Sequence, residues 1–196
     1  MSNILIEQLP EAVEIGGVEY AVNTDFKDCI RVILAFEDFE LTDQEKCAVM
    51  LQNLYPEIPD DAQGAVDQAL KFLNGGRSDE EQSDETSLRL YSFEKDADFI
   101  FAAFRQTHGI DLETVRIHWW VFLALFADLG SETTFCNLIA LRRRVKTGTA
   151  SKEERALARE LNDLVYLQEV DTRTPEEREK EIEFMRLVKG HQHGEV

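Results

Sequence analysis

From Asp111 to Leu129 the chain reads DLETVRIHWWVFLALFADL, and its two adjacent tryptophans set the strictest condition on the fold. Leu112, Val115, Trp119, Phe122, Leu123, Phe126 and Leu129 recur at the three-or-four spacing of one helix face. Ile117, Trp120, Val121 and Leu125 fill much of the remaining circumference, as in a helix surrounded on most sides. Neighbouring helix positions diverge by about 100°, so Trp119 and Trp120 can both be covered only if the helix is packed on two sides. The expected architecture is therefore mainly α, a multi-helix bundle around a central helix over residues 111–129.

Capping signals divide the rest into about seven or eight helices. Ala12–Ile15, Gly16-Gly17 and Val18–Val22 read as a β-hairpin, because paired glycines tolerate the positive φ of a two-residue turn. An isolated hairpin is marginal, so it must lie on the helices or pair with another chain. Asn23-Thr24-Asp25 caps a helix over 26–39 with Phe26, Ile30, Ile33 and Leu34 inward. Thr42–Glu45 is a capping box for a helix reaching about Tyr55, and Asp60 or Asp61 opens a third over 62–74. Ser92 or Asp96 caps a fourth, closed by Gly109, and Asp111 opens the double-tryptophan helix, which Gly130 ends. Ser131 opens a helix to about Lys146. Ser151–Glu154 is a second capping box, with Leu157, Leu161, Leu164 and Val165 on one face of a helix to Leu167. Thr174–Glu177 is a third, with Pro175 at the first helical position of a helix to about Lys189. Its thin stripe of Ile182, Met185 and Val188 would not hold an isolated helix in water, so it docks weakly or is a partner-binding arm. These readings place a helical core domain with its hairpin at 1–150, an acidic flexible loop at 77–87, a helical appendage at 151–190 and a disordered tail at 191–196.

Charge is distributed unevenly. Of the net −18 on 196 residues, positions 1–87 carry −15, from 20 acids and 5 bases, and positions 88–196 carry −3. Such a surface repels phosphate backbones, and nucleic-acid binding is not expected. The longest apolar run, Trp119 to Ala127, falls well short of the ~20 residues that span a bilayer, and the N-terminus shows no signal-peptide pattern. Neither membrane insertion nor export is expected, and a cytoplasmic location is. Cys29, Cys47 and Cys136 are far apart and odd in number, which fits small core residues in a reducing compartment.

No catalytic pattern is present: the chain has no glycine-rich phosphate loop, no G-x-S-x-G and no HExxH. His118 lacks an activated nucleophile and reads as a hydrogen-bonded core residue. His191 and His193 supply two ligands on a tail, too few for a metal centre. No enzyme activity, cofactor or metal is expected. Arg142-Arg143-Arg144 with Lys146 is the densest positive cluster. At a helix end such a cluster complements the macrodipole, and its sharper use is to dock the acidic half of a neighbouring copy. The candidate partner-binding residues are Arg142, Arg143, Arg144, Lys146, Ile182, Met185 and Val188.

The run YSFEKDADFIFAAF, then GID, then HWW followed by LF, resembles the hallmark segment of the phage gene product 15 family. PEAVEIGGVEYAVNTDFKDCIRV and YPEIPDDAQGAVDQALKFLNGG are similar to the family's opening hairpin, first helix and next segment, in the same order over roughly residues 9–145. Such proteins are encoded in the tail region of long-tailed phages and prophages. The resemblance therefore implies a phage tail-morphogenesis protein, with a tail assembly chaperone for the tape-measure protein as the expected role. Other tail proteins and further copies of the chain are the remaining partners it implies. A structural subunit of the tail or connector, and a host-interaction protein, are the alternatives.

Overall fold

The computed structural model describes residues 5–77 and 88–167. Capping residues start nearly every helix. Asp25 accepts from the Lys27 amide at the head of α1 (Phe26–Glu37), and Thr42 with Glu45 closes a capping box on α2 (Asp43–Leu54). Asp61 accepts from the Gly64 amide to open α3 (Ala62–Leu73). α4 (Ala97–His108) ends where Gly109 takes φ 68°, and α5 (Trp119–Ala127) follows a turn and an extended stretch. α6 (Thr134–Lys146), α7 (Lys152–Glu160) and the single turn α8 (Asn162–Val165) complete the described chain. A hairpin of β1 (Ala12–Ile15) and β2 (Val18–Ala21) turns on Gly16 and Gly17 at φ 59° and 83°. The protein is mainly α with a small N-terminal hairpin, as the sequence predicts, and the hairpin rests on α3 through buried Ile15.

Phe122 of α5 is the centre of the core. Its ring stacks on Phe26 and on Phe104, each with centroids 4.9 Å apart, and on Trp119 at 5.4 Å. The two tryptophans diverge to reach one target: the Trp119 and Trp120 indoles each donate at 2.8 Å to the last carbonyls of α3, those of Leu73 and Phe72. Phe72's carbonyl also accepts from the Gly75 amide at 3.0 Å, so the tryptophans add side-chain caps to the backbone turn that ends α3. Trp120 also explains Gly76, where a Cβ would stand 2.7 Å from the indole ring.

Several boundaries differ from expectation. The central helix begins at Trp119 rather than Asp111, because Asp111 closes a local turn with Glu113 and Thr114 and the chain then runs extended. There Ile117 accepts from the Phe26 amide and the Trp119 amide donates to Thr24, so α1 and α5 start side by side. These long-range backbone bonds outcompete a helix that local periodicity alone favours. α6 starts after Thr133, whose hydroxyl accepts from the Cys136 amide, not after Ser131. α1 turns Phe26, Cys29 and Val32 innermost, leaving Ile30, Ile33 and Leu34 half-buried. The helix expected to reach Leu167 breaks at Leu161, and its predicted inner residues Leu157 and Leu161 are 44% and 38% exposed. Val165 and Leu164 do pack inward as predicted, on the cluster with Leu138 and Leu141 of α6, and Ala158 joins them there while Leu167 is buried nearby. The helix predicted over Thr174–Lys189, with the loop 77–87 beyond Arg77 and the tail, lies outside the described residues.

Candidate functional site

α6 presents two faces with different chemistry. The inner one carries Phe135, Leu138, Leu141 and Arg142, all buried, at helical spacing. Arg142 is 1% exposed and forms a bidentate pair with Asp96, which is fully buried, its Nη2 standing 2.8 Å from Oδ1. Nη1 also donates to the Leu90 carbonyl at 3.0 Å, and Nε and Nη2 both donate to the Leu164 carbonyl of α8. All five guanidinium N–H groups are thereby used, the condition under which a buried arginine is tolerated. Asp96 in turn accepts from the Ser92 amide at 3.0 Å, and the Ser92 hydroxyl donates to Glu37 at 2.6 Å. Arg89 pairs with Glu37 at 3.2 Å. Asp96 is therefore unavailable as the side-chain cap of α4, and Ser92 caps only the turn before it, accepting from Glu94 and Lys95. This polar seam ties α1, the segment before α4, α6 and α8 into one body.

Arg142 is thus not the surface cation that its neighbours suggested. Its chemistry needs a short-range acid, and Asp96 supplies one inside the fold. Arg144 is half-exposed and bonds Glu154 at 2.8 Å, joining α6 to the first turn of α7. That pair and the Ser151 cap hold the Glu154 carboxyl below the usual carboxylate range, the cap bond being the larger cause. Only Arg143 and Lys146 of the predicted cluster point freely outward. Ile182, Met185 and Val188 lie outside the described residues. Sequence reasoning missed Asp96 and the inward aim of Arg142. The signal was available: Arg142 falls four residues after Leu138, on the apolar stripe, where an unpaired charge is not sustainable.

The outer face of α6 carries Cys136, Ile139, Ala140 and Arg143 at positions i, i+3, i+4 and i+7, all at least partly exposed. With Arg144 they line a shallow, mostly apolar hollow of about 300 Å³. Between Cys136 and Arg159 stand seven bases and two acids, a positive pole on a chain of net charge −18.

A second hollow, about 290 Å³, lies where α1 and α5 begin, lined by Asn23, Thr24, Asp25, Asp28, Arg116 and His118. Its polar groups are committed to structure. Asp25 caps α1 and accepts from Arg116 at 3.1 Å. His118 Nδ1 accepts from the Trp120 amide, which fixes Nε2–H toward the Pro10 carbonyl 3.0 Å away. His118 is therefore the half-buried cap of α5, not a residue within it. Burial pushes the Cys29 thiol far above its ordinary range, with Asp28 and Asp25 adding to the effect, so Cys29 is inert. Among the described residues no group of three His, Cys, Asp or Glu side chains could hold a metal ion, and no buried side-chain nitrogen or oxygen lacks a partner. None of the described helices is long and apolar enough to cross a membrane.

The arrangement is that of a helical protein whose polar interior is structural and whose accessible features are apolar and charged surfaces. Residues 5–167 match the family described as Bacteriophage Gp15 protein, and the chain belongs to that family. The match extends beyond the resemblance over roughly residues 9–145 to the last described residue, and takes in α7 and α8. No curated protein and no solved structure matches the chain.

Proposed function

We propose that this phage protein is a non-enzymatic tail-morphogenesis factor, a chaperone that keeps the tape-measure protein soluble while the tail is built. The observation that carries this reading is the aliphatic edge of α7. Glu154, Leu157 and Leu161 share one face by helical spacing, and both leucines are left well exposed although the helix packs through Ala158. A paired aliphatic edge beside charged side chains suits helix-in-groove recognition of a long amphipathic client. The acidic front of the molecule would keep such a complex soluble. Family membership supplies the phage setting; the client is our inference.

Co-expression with the tape-measure protein of the same genome should yield a soluble complex, with the client insoluble alone. Leu157→Asp with Leu161→Asp should abolish that complex while changing unfolding stability by only about 0.5 kcal/mol per site, as at exposed positions elsewhere. Absence of any complex, with the chain present at fixed copy number in purified particles, would replace this reading with a structural virion subunit. One observation favours that second reading: the hairpin pairs with no further strand among the described residues, so its edges can augment another sheet.

A further inference from the structure

We infer that the outer face of α6 is a docking surface for a second copy of this chain, which it grips by the outer edge of α3 to build a head-to-tail assembly. The α6 face pairs an apolar floor, Ile139 and Ala140, with Arg143 and Lys146 one and two turns along the same edge. Its complement must be acidic and carry apolar side chains of its own. The chain supplies such a surface. Between Asp38 and Asp67 stand eight acids and one base. Asp60, Asp67 and Leu70 fall on one edge of α3 and the turn before it, and all three are exposed, Leu70 by 41%. Ile58, 50% exposed, lies in the same acidic stretch. Lys71 is the only base within α3 and stands one residue beyond Leu70.

The two surfaces sit on different sides of the molecule. α3 packs on α2 and the hairpin, whereas α6 packs on α4, α7 and α8. A copy therefore cannot satisfy both faces within itself, and a two-fold pair of α6 on α6 or of α3 on α3 would leave like charges opposed. The geometry that satisfies both is heterologous, with each α6 face on the next copy's α3 edge, which propagates rather than closes after two copies. Salt should weaken it strongly, since exposed complementary charges are screened at distances beyond about 8 Å at physiological ionic strength. Self-association of this kind needs no client, and so stands or falls apart from the chaperone reading.

Sedimentation of the full chain over a concentration series tests it. At about 50 mM salt we expect species larger than a dimer, reverting to monomer near 500 mM. Arg143→Glu with Lys146→Glu, and separately Asp60→Lys with Asp67→Lys, should each weaken association by roughly tenfold or more. All four positions are exposed, so both variants should keep the wild-type circular dichroism. Mixing the two variants in equal amounts should restore species larger than a dimer, because intact α6 meets intact α3 at one junction and reversed α6 meets reversed α3 at the next. Combining all four reversals in one chain should restore the larger species. A chain that stays monomeric at low salt and high concentration overturns the proposal, as does association that ignores the reversals or a mixture that behaves like either variant alone.

Discussion

Around Phe122 and around Arg142 the chain buries side chains equally completely, and by different physics. Phe122 has four aromatic neighbours within about 6 Å, Phe26, Phe104, Trp119 and Phe126, in near-parallel stacks. No direction is demanded of such contacts beyond shape, and burial itself supplies the stabilisation. Arg142 gains little from being buried; it survives there because Asp96 and two backbone carbonyls take every donor. One region is held by area, the other by completeness. The aromatic region gathers α1, α4 and α5, while the seam fastens α8, and with it the end of the matched region, to the rest. The comparison teaches that α8 is attached by a bond-specific joint rather than by a second large core, since the apolar cluster there is small.

The comparison can be broken from either side by chemical denaturation. Phe122→Ala should cost about 3–5 kcal/mol through lost transfer energy and a cavity among rings that cannot collapse. Arg142→Met should cost nearly as much, about 3–5 kcal/mol, for a different reason: Asp96 is left as an unpaired buried charge. The distinguishing measurement is the double variant Arg142→Met/Asp96→Leu. It should recover much of that loss, keeping about 1–3 kcal/mol for the Leu90 and Leu164 carbonyls left without donors and the Ser92 amide left without its acceptor. If the double variant is no better than the single one, the seam is not an ion pair in energetic terms. Thr42→Ala, which removes half of the α2 capping box, should cost only about 1 kcal/mol and leave both regions intact.

The smallest effect concerns acid. Glu154 has its carboxyl held below the ordinary range by the Ser151 cap and then by Arg144, so the folded state binds its proton more weakly than the unfolded chain. Its contribution is therefore present above the usual glutamate range and is lost as pH falls through the depressed value. Amide protection at the start of α7, measured against intrinsic exchange at each pH, should fall in acid before protection around Phe122 does. An equal fall in both places would show that α7 is not an independently fraying element.

How much of this was legible in the sequence follows from range. Thr42 with Glu45 and Ser151 with Glu154 sit three residues apart, and each box forms as the local pattern predicts. Gly16-Gly17 and Gly109 likewise announce the positive φ they adopt. The start of α5 was illegible because it is decided by the Thr24 carbonyl and the Phe26 amide, ninety-odd positions upstream in the chain. The apolar face of α7 misled for a related reason: Leu157 and Leu161 are periodic, but no described element covers them.

For the candidate surfaces, the sequence showed the cluster Arg142–Lys146 and the acidic front half as charges without directions. Only packing separated the four cations, sending Arg142 to Asp96 and Arg144 to Glu154 and leaving Arg143 and Lys146 to the solvent. By itself, the sequence determined a mainly α chain with a short hairpin, an aromatic centre on the double-tryptophan helix, and a strong charge asymmetry. These depend on composition and on spacing within one or two helical turns. Tertiary structure alone decided where that helix begins, which arginine is structural, and which apolar and charged edges remain open. Each of those outcomes depends on a partner far away in sequence, which local periodicity does not encode.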